Sequence, residues 1–300
     1  MRAIKIIALA TCHNRRKKTL SALNSLQAQL LPSGCSLEIC LVDDGSIDGT
    51  GDAVRRAFPD IKVLEGTGKL YWAGGMRFGW EKYVKHQYLD YLLVFNDDVQ
   101  LNRIAVSKLL SAGKIMNARG YEAHAVAGAF KDIETNTLSY SGLVLRSLWH
   151  PLLFDKLPPN ESIQECNTLN MNLALLHFKA LKLTGFLSPE FTHCKADFDF
   201  GLRLRKKGGV VVLAPGYVGT CNINPITGLS SEPAIPFWER YRRLTSIKEH
   251  PPKESVLYLR RHGGVLWPIF LALPYFWICA ESLFFFIFRK DINKKFGPRA

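Results

Sequence analysis

Residues 91–99 of this 300-residue chain read YLLVFNDDV. Residues 91–95 are all apolar or aromatic, which is typical of a strand buried on both faces. Two adjacent carboxylates, Asp97 and Asp98, follow the strand, with Asn96 before them. Because open α/β sheets bind ligands at the carboxyl ends of their strands, this stretch predicts a ligand site. An ordinary polar turn is the alternative, since Asn and Asp are common turn residues.

The paired carboxylates indicate which cofactor such a site would take. Hard oxygen donors on a rigid element suit Mg²⁺ or Mn²⁺. Magnesium usually keeps coordination positions open for substrate phosphates. We therefore predict a divalent metal, magnesium or manganese, as the cofactor.

The chain before this stretch alternates strand and helix patterns. Apolar runs at residues 4–10, 37–42 and 61–64 predict three strands, and leucines spaced by three and four within residues 20–30 predict a helix. This alternation predicts a mostly parallel sheet with polar, acidic or Gly-rich loops at one edge. A nucleotide is the ligand that this arrangement favours.

The chain is strongly basic, with a formal charge of +13 and a sequence pI near 9.4. That balance predicts anionic partners. Residues 15–18 are consecutive cations where the first predicted helix begins, and the helix dipole disfavours cations there. Either an anion compensates them or they form a solvated basic face.

The seven cysteines show no Cys-x-x-Cys spacing, which predicts reduced thiols in a cytosolic compartment. The order of charge and apolarity at the start of the chain predicts no signal peptide.

Residues 66–80 read GTGKLYWAGGMRFGW and contain five glycines. This composition predicts a loop pressed against a ligand, followed by a helix from about residue 76 to 87. The segment is not a Walker loop, because no Ser or Thr follows Gly-Lys. It is not a Rossmann fingerprint either, because no Gly-x-Gly-x-x-Gly opens the first helix.

Three motifs in order carry a family resemblance. Residues 42–50 read VDDGSIDGT, and WAGGMR at 72–77 is followed by NDD at 96–98. These motifs resemble those of inverting family 2 glycosyltransferases, including the rhamnosyl- and galactofuranosyltransferase-like members that build bacterial surface polysaccharides. The resemblance implies a GT-A fold, a nucleoside-diphosphate-sugar donor and a saccharide or polyprenyl-linked acceptor.

Carried over residue by residue, the resemblance implies donor-binding roles. Asp44, or Asp43 beside it, would hold the base, and Asn96 would stand at the ribose position, where the family more often has Asp. Asp98 would be the metal ligand in a DXD-like triplet, with Asp97 beside it. The metal would bridge the donor diphosphate.

The glycine-rich segment 66–79 would shape the donor pocket, with Gly74 and Gly75 lining it. Arg77 or Lys69 would contact the diphosphate. Many relatives also place a metal-binding His after the last strand of the sheet. This chain has no His within residues 216–224, so the resemblance implies no third protein ligand there.

The acceptor side carries a third motif. KADFDFGLR at 195–203 resembles the family pattern ED.D...R, with Ala196 in place of the first Glu. Asp197 falls at the position of the catalytic base. An inverting transfer is a single displacement, so a carboxylate must take the proton of the attacking hydroxyl. His193 is the alternative base, because its ordinary pKa suits proton transfer near neutrality.

Asp199 and Arg203 also match the acceptor-side pattern, which implies substrate-binding roles for both. Their i, i+4 spacing is equally compatible with a helical salt bridge. The other predicted elements of this half are a helix at 101–117, strands at 123–130 and 138–145, a long loop at 146–167, a helix at 175–183 and a strand at 209–215.

The composition shifts after residue 235. Aromatic residues alternate with cations at 237–243, and residues 263–288 form an apolar stretch with prolines at 268 and 274 and basic residues at 289–299. The stretch is long enough to cross a bilayer nominally, which takes about 20 residues. We favour a helix or bent hairpin that lies in the membrane interface and is anchored to anionic lipid. A core helix packed on the catalytic domain is the alternative.

The sequence thus predicts an α/β enzyme with a GT-A catalytic domain at residues 1–235. Residues 1–100 would bind the nucleotide sugar, residues 101–235 would bind the acceptor, and residues 236–300 would form a helical membrane-association region. The expected location is the cytoplasmic side of the cell membrane. Two alternatives remain open: a nucleotidyltransferase on a related sheet, and a non-enzymatic protein that binds anionic lipid or nucleic acid. The clustering of cations with the apolar tail favours lipid over nucleic acid.

Overall fold

The computed structural model describes residues 3–147, 150, 152–224, 227–232 and 235–295, with side chains described up to residue 282. The chain divides into two compact units. The first comprises residues 1–148 and 153–223, and the second comprises residues 149–152 and 224–300. The predicted basic side chains at 289–299 lie outside the described part.

The first unit is built on two sheets. A ten-stranded sheet has the order β10-β13-β6-β12-β4-β1-β2-β3, with β5 paired to β13 and β7 to β6, and a three-stranded sheet has the order β11-β8-β9. The strands are β1 Ile4–Cys12, β2 Cys35–Asp43, β3 Lys62–Glu65, β4 Tyr91–Phe95, β5 Gln100–Leu101, β6 His124–Lys131, β7 Leu138–Tyr140, β8 Gly142–Leu145, β9 Phe154–Lys156, β10 Gln164–Cys166, β11 Thr168–Leu169, β12 Leu173–His177 and β13 Val210–Thr220.

Helices flank the large sheet and form the second unit. In the first unit they are α1 Arg16–Gln27, α2 Thr50–Ala57, α3 Tyr71–Lys82, α4 Ala105–Ala118, α5 Phe178–Thr184 and α6 Ala196–Lys206. In the second unit they are α7 Phe237–Leu244, α8 Pro252–His262 and α9 Trp267–Lys295.

Strands β4, β1, β2 and β3 are parallel, as the alternating pattern predicted. Strand β12 is antiparallel to both of its neighbours, β4 and β6, and β13 runs parallel to β6. Every residue of β4 is buried, as expected for a central strand covered on both faces. The carboxyl ends of β1, β2 and β4 therefore meet at one edge of the sheet.

The predicted helix at 175–183 is wrong for its first three residues. Leu173–His177 is strand β12, and helix α5 begins only at Phe178. All of β12 is buried between β4 and β6, so the run is apolar on every side. A short apolar run cannot be distinguished from a buried helix by periodicity alone. The predicted long loop at 146–167 likewise contains two short strands, β9 and β10.

Helix α3 begins at Tyr71, about five residues earlier than predicted. Gly74 and Gly75, which were assigned to a loop, therefore lie on a helix that packs closely on the sheet, whereas Gly66 and Gly68 precede it. A Cβ added at Gly79 would come within 2.5 Å of Leu9 Cδ1 and 2.9 Å of Val42 Cγ2. Glycine is required there because the helix approaches β1 and β2 too closely for a side chain.

The second unit is helical. Arg240 of α7 is buried and forms an ion pair with Glu281 of α9, with 2.6 Å between Nη1 and Oε2. Helix α9 continues through Pro274 as one 29-residue helix rather than a hairpin. The segment Gly264–Ser282, with a mean hydropathy of 1.4, is the one stretch in the described ranges that is long and apolar enough to cross a membrane.

Candidate active site

The acids that follow β2 and β4 lie at the same edge of the sheet. Strand β1 lies between β2 and β4 and is parallel to both, with Cys12 opposite Asp43. The edge is thus formed by the loop after β1, the Asp43–Asp44 pair and the Asn96–Asp98 triplet. The acids of the VDDGSIDGT motif and those of the NDD motif, both predicted to lie in the donor site, are therefore at the same edge.

Asp44 organises the glycine-rich segment. Its carboxylate accepts hydrogen bonds from three backbone amides: Gly68 at 2.7 Å, Leu70 at 2.9 Å and Tyr71 at 3.2 Å. The side chain is buried, and Tyr71, the first residue of α3, has a φ of 57°. Asp44 therefore fixes the start of α3 and the backbone of the segment before it. Its contact with a nucleotide base stays a prediction.

Asp43 lies beneath the loop that follows it. One carboxylate oxygen accepts the Ser46 amide at 3.2 Å. A Cβ on Gly51 of α2 would collide with the other oxygen, so α2 begins tightly against this side chain. The geometry gives Asp43 a role in shaping the loop, and its part in base binding also stays a prediction.

Asp97 and Asp98 share one cation. Nη1 of Arg15 lies 3.1 Å from Oδ1 of Asp97 and 3.1 Å from Oδ2 of Asp98. Thr19 of α1 also donates to Asp97 at 3.4 Å. Burial raises the pKa of Asp97 to about 6, although the Arg15 charge opposes the rise. Arg15 is therefore compensated by acids within the protein, whereas the other three cations of the run are exposed.

The acid pair fits a metal that shares its coordination with a substrate. Within the described residues, no three His, Cys, Asp or Glu side chains are arranged to hold a metal ion by themselves. Another side chain that could be considered as a ligand beside Asp98 is Cys221, whose Sγ lies 3.8 Å from Oδ1 of Asp98. Its thiol pKa is raised to about 12, chiefly by burial, so it remains protonated at neutral pH. Two hard carboxylates suit Mg²⁺ or Mn²⁺ whose remaining coordination positions would be filled by phosphate oxygens.

Asn96 is held by an aromatic residue from α3. Its side-chain oxygen accepts a hydrogen bond from Nε1 of Trp72 at 2.9 Å, and its backbone amide donates to the Asn172 carbonyl at 3.0 Å. The backbone amide of Trp72 in turn lies 3.4 Å from Nδ1 of His193. Trp72 thus connects Asn96, at the predicted ribose position, with His193, the predicted alternative base.

Asp197 lies in the first turn of α6, next to the loop that precedes β12. Its Oδ2 accepts the Met171 amide at 3.4 Å, and its Oδ1 accepts the Phe198 amide at 2.9 Å. Burial raises the pKa of Asp197 to about 6. A carboxylate with this pKa is ionised at neutral pH and is still a better proton acceptor than an ordinary Asp.

Two successive residues connect Asp197 with the acid pair. Met171 donates its amide to Asp197, and the next residue, Asn172, donates its side-chain amide to Cys221 Sγ at 3.6 Å. Cys221 contacts Asp98. The predicted metal ligand and the predicted base are thus separated by one short chain of contacts.

Asp199 and Arg203 form a buried structural network. Oδ2 of Asp199 accepts hydrogen bonds from Nε of Arg203 at 2.7 Å and from Oγ of Ser188 at 2.8 Å. Arg203 also donates to the carbonyl oxygens of Thr184 and Phe186. The Asp199 side chain has no solvent exposure in this structure. The helical salt bridge that the spacing allowed is thus present, and a substrate-binding role for the pair stays a prediction.

Arg77 also makes structural contacts. Its Nη1 donates to the carbonyl oxygens of Ser188 and Phe191, which fastens the loop before α6 to helix α3. Gly75 packs against Thr11, whereas Gly74 has more space, and Lys69 is exposed. Of these, Gly75 lets α3 approach β1 closely. The role of Arg77 at a diphosphate stays a prediction.

Sequence reasoning missed Arg15, Trp72 and Asn172 as members of this site. Arg15 was recognised only as part of a basic run. The signal that could have identified it is its place directly after β1, where a strand end delivers side chains to the ligand edge.

The fold is the GT-A-like architecture that the motifs implied: a mixed, mostly parallel sheet with helices on its faces and acids at its strand ends. The profile of the glycosyl transferase family 2 matches residues 8–172. The chain therefore belongs to glycosyl transferase family 2. The matched range contains the second half of β1, all of β2 to β4, the acid pair and Asn172.

A solved structure shares the fold. The crystal structure of S. aureus TarS 1–349 superposes with a TM-score of 0.50 at 14% sequence identity. The similarity covers 73% of this chain and 60% of the TarS chain. No curated protein sequence matches this chain.

Proposed function

We propose that this protein is an inverting glycosyltransferase that moves a sugar, in the hexosyl or rhamnosyl class, from a nucleoside-diphosphate sugar to a saccharide acceptor. The acceptor would be a polyprenyl-linked saccharide in the synthesis of bacterial O-antigen or another surface polysaccharide. One observation carries the proposal: residues 171–172 connect the Asp197 carboxylate to the acid pair at the end of β4. The sugar donor, bound at the acid pair, and the acceptor, bound at Asp197, would therefore lie on either side of residues 171–172.

The donor side would use the edge formed by β1, β2 and β4. The segment fixed by Asp44 would line the nucleotide, and Asn96, held by Trp72, would face the ribose. Asp97 and Asp98 would hold magnesium or manganese, which would supply charge neutralisation for the leaving diphosphate. Both carboxylates come from the end of a rigid buried strand, so their positions are fixed before any substrate arrives.

The acceptor side would use Asp197. In a single displacement, the acceptor hydroxyl attacks the anomeric carbon while its proton passes to a carboxylate oxygen. The Asp197 side chain already accepts two backbone amides, which fix its orientation. His193, adjacent to Trp72, is the second candidate for the base.

The experiment that tests this proposal compares Asp197→Asn with the wild-type protein. Asparagine keeps the shape of the side chain but cannot take a proton, so transfer should fall by a factor of about 10² to 10⁴. Binding of a nucleotide sugar with manganese, measured by thermal shift, should remain. Asp60→Asn, at an exposed position away from this edge, is the matched control.

Near-normal turnover of Asp197→Asn would disprove the base assignment. His193→Gln would then be the next variant to measure. A panel of nucleotide sugars in the same thermal-shift assay would identify the donor, because the correct sugar should stabilise the protein most.

We further propose that the second unit associates with the inner face of an anionic membrane. Helix α9 exposes large apolar side chains, including Phe276 and Trp277, and Trp238 of α7 is 76% exposed. Cations such as Arg242 and Arg260 lie on the neighbouring helices. Aromatic residues beside cations are suited to a negatively charged lipid interface.

Vesicle flotation tests the lipid partner. The full-length protein should float with phosphatidylglycerol vesicles, and Phe276→Ser combined with Trp277→Ser should weaken flotation strongly. Tyr121→Ser, an exposed aromatic in the first unit, is the control. Equal flotation of the double variant, or binding to single-stranded nucleic acid instead of vesicles, would contradict the proposal.

A further inference from the structure

The loop after β1 places a cation directly on the acid pair. A single guanidinium nitrogen, Nη1 of Arg15, lies 3.1 Å from a carboxylate oxygen of Asp97 and 3.1 Å from one of Asp98. A divalent cation bridging the same two carboxylates would need this position, because magnesium–oxygen distances are about 2.1 Å. The guanidinium and the metal cannot occupy the same space.

The backbone of Arg15 is fixed, but its side chain is free to move outward. The Arg15 carbonyl accepts the Thr19 amide at 2.9 Å and the Thr19 hydroxyl at 3.0 Å, which locks the residue to the first turn of α1. The amide of the next residue, Arg16, donates to Asp48 at 3.1 Å. The Arg15 side chain is 45% exposed, so a path to solvent is open to its guanidinium.

The two acids are buried more deeply than their partner. The side chains of Asp97 and Asp98 are 6% and 14% exposed. Carboxylates placed this close together and away from water need a counter-charge. Arg15 is the cation that supplies it in this structure.

We propose that Arg15 is a positioning residue that acts as a resident counter-ion of the acid pair and competes with the divalent cation for it. The inference rests on the proposed metal role of Asp98. It adds that metal entry requires Arg15 to leave, so that Arg15 sets the metal affinity of the protein before the donor binds. The displaced guanidinium then becomes available to an incoming anion such as the donor diphosphate.

The test measures Mn²⁺ binding to the full-length protein without any nucleotide, from the electron paramagnetic resonance signal of free Mn²⁺ at pH 8. Removing the competing charge with Arg15→Gln should tighten binding about fivefold or more, because two unit charges at this separation interact strongly near a protein surface. Arg15→Met, which is apolar and forms no new hydrogen bond to the acids, should do the same. Arg15→Lys keeps the charge and should bind like the wild type.

Arg16→Gln is the matched control. It removes the same charge from the adjacent residue, whose side chain is exposed, and should change the affinity by less than about twofold. Adding Asp98→Asn to Arg15→Gln should abolish the tight binding.

Equal affinities for Arg15→Gln, Arg15→Met and Arg16→Gln would overturn the counter-ion role while leaving the metal site standing. Tight binding that survives Asp98→Asn would place the ion elsewhere and would also overturn it. The absence of Mn²⁺ binding in every variant would overturn both this inference and the metal assignment. The base role of Asp197 would be unaffected, because its test is the transfer assay.

Discussion

The imidazole rings of His124 on β6 and His177 on β12 stack in the interior, with 4.8 Å between their centroids and 20° between their planes. Both side chains are buried. Burial, followed by the neighbouring His124, lowers the pKa of His177 to about 4, and burial also lowers the pKa of His124. Two neutral rings can stack in this way, but two protonated rings would repel each other inside the protein.

This pair predicts acid-sensitive stability. The unfolded chain takes up protons on these histidines as the pH falls below about 6.5, whereas the folded chain resists until about pH 4. As the pH falls from about 6.5 to 4, His177 should therefore lower the free energy of unfolding by an amount on the order of 3 kcal/mol. Asp97 and Asp197 act in the opposite direction over the same range, because burial raises both of their pKa values to about 6 and the folded protein takes up these protons first. Denaturant unfolding at a series of pH values measures this decrease.

The difference in the free energy of unfolding between the wild type and His177→Gln should change by this amount between pH 6.5 and 4, because the substituted side chain does not titrate. His86→Gln, at an exposed position, should leave the curve unchanged. An identical decrease in His177→Gln and the wild type would show that other groups cause the acid sensitivity.

The proposed base role of Asp197 predicts an acid limb in the rate of transfer. Because burial raises this pKa to about 6, the carboxylate becomes protonated below that pH and can no longer accept a proton. The rate of transfer should decrease about tenfold for each pH unit below 6 and level off above it. Steady-state rates from pH 4.5 to 8 measure the limb, and a midpoint near 4 would contradict a raised pKa for the base.

Two adjacent glycines of α3 predict opposite mutational effects. A Cβ at Gly75 would lie 2.8 Å from Cβ of Thr11, whereas the nearest heavy atom to a Cβ at Gly74 is 3.5 Å away, on Leu70. Gly75→Ala should lower the free energy of unfolding by about 1–3 kcal/mol through overpacking. Gly74→Ala should be neutral or stabilising by up to about 1 kcal/mol, because alanine favours helix. Equal effects in thermal unfolding would contradict the close packing.

The hydrogen bonds to Asp44 predict that its removal will loosen the backbone of residues 68–71. Asp44→Ala removes the acceptor for the amides of residues 68, 70 and 71, and each bond to a charged group is worth about 1.5–3 kcal/mol. Hydrogen exchange of those amides should accelerate by more than about tenfold, while exchange in β4 stays slow. Asp52→Asn, which removes a surface ion pair with Arg55, is the control. Unchanged exchange at the three amides would show that the segment is held by other contacts.

The sequence was sufficient to predict the parallel half of the sheet and the edge where ligands bind. Alternation of apolar runs and helical periodicity located β1, β2, β3 and β4, and parallel neighbours place their carboxyl ends together. The motif acids therefore could be assigned to one edge before any coordinates existed.

Pairwise side-chain contacts were not predictable in the same way. Asp199 and Arg203 match a substrate-binding pattern and a salt bridge equally well, and only the structure shows that the salt bridge forms with Asp199 buried. The strand β12 was misread because its neighbours on both sides bury it completely. The roles of Asp44 and Arg15 depend on which residues lie across the edge, and sequence spacing does not contain that information.

The hydrogen bond between the Trp72 indole and Asn96 has an optical consequence. Indole emission shifts with the polarity and hydrogen bonding around its nitrogen, and this indole sits where the ribose is expected. Intrinsic fluorescence should therefore report occupancy of the site without any label. Trp72→Phe would identify the share of the signal that comes from this ring among the six tryptophans of the chain.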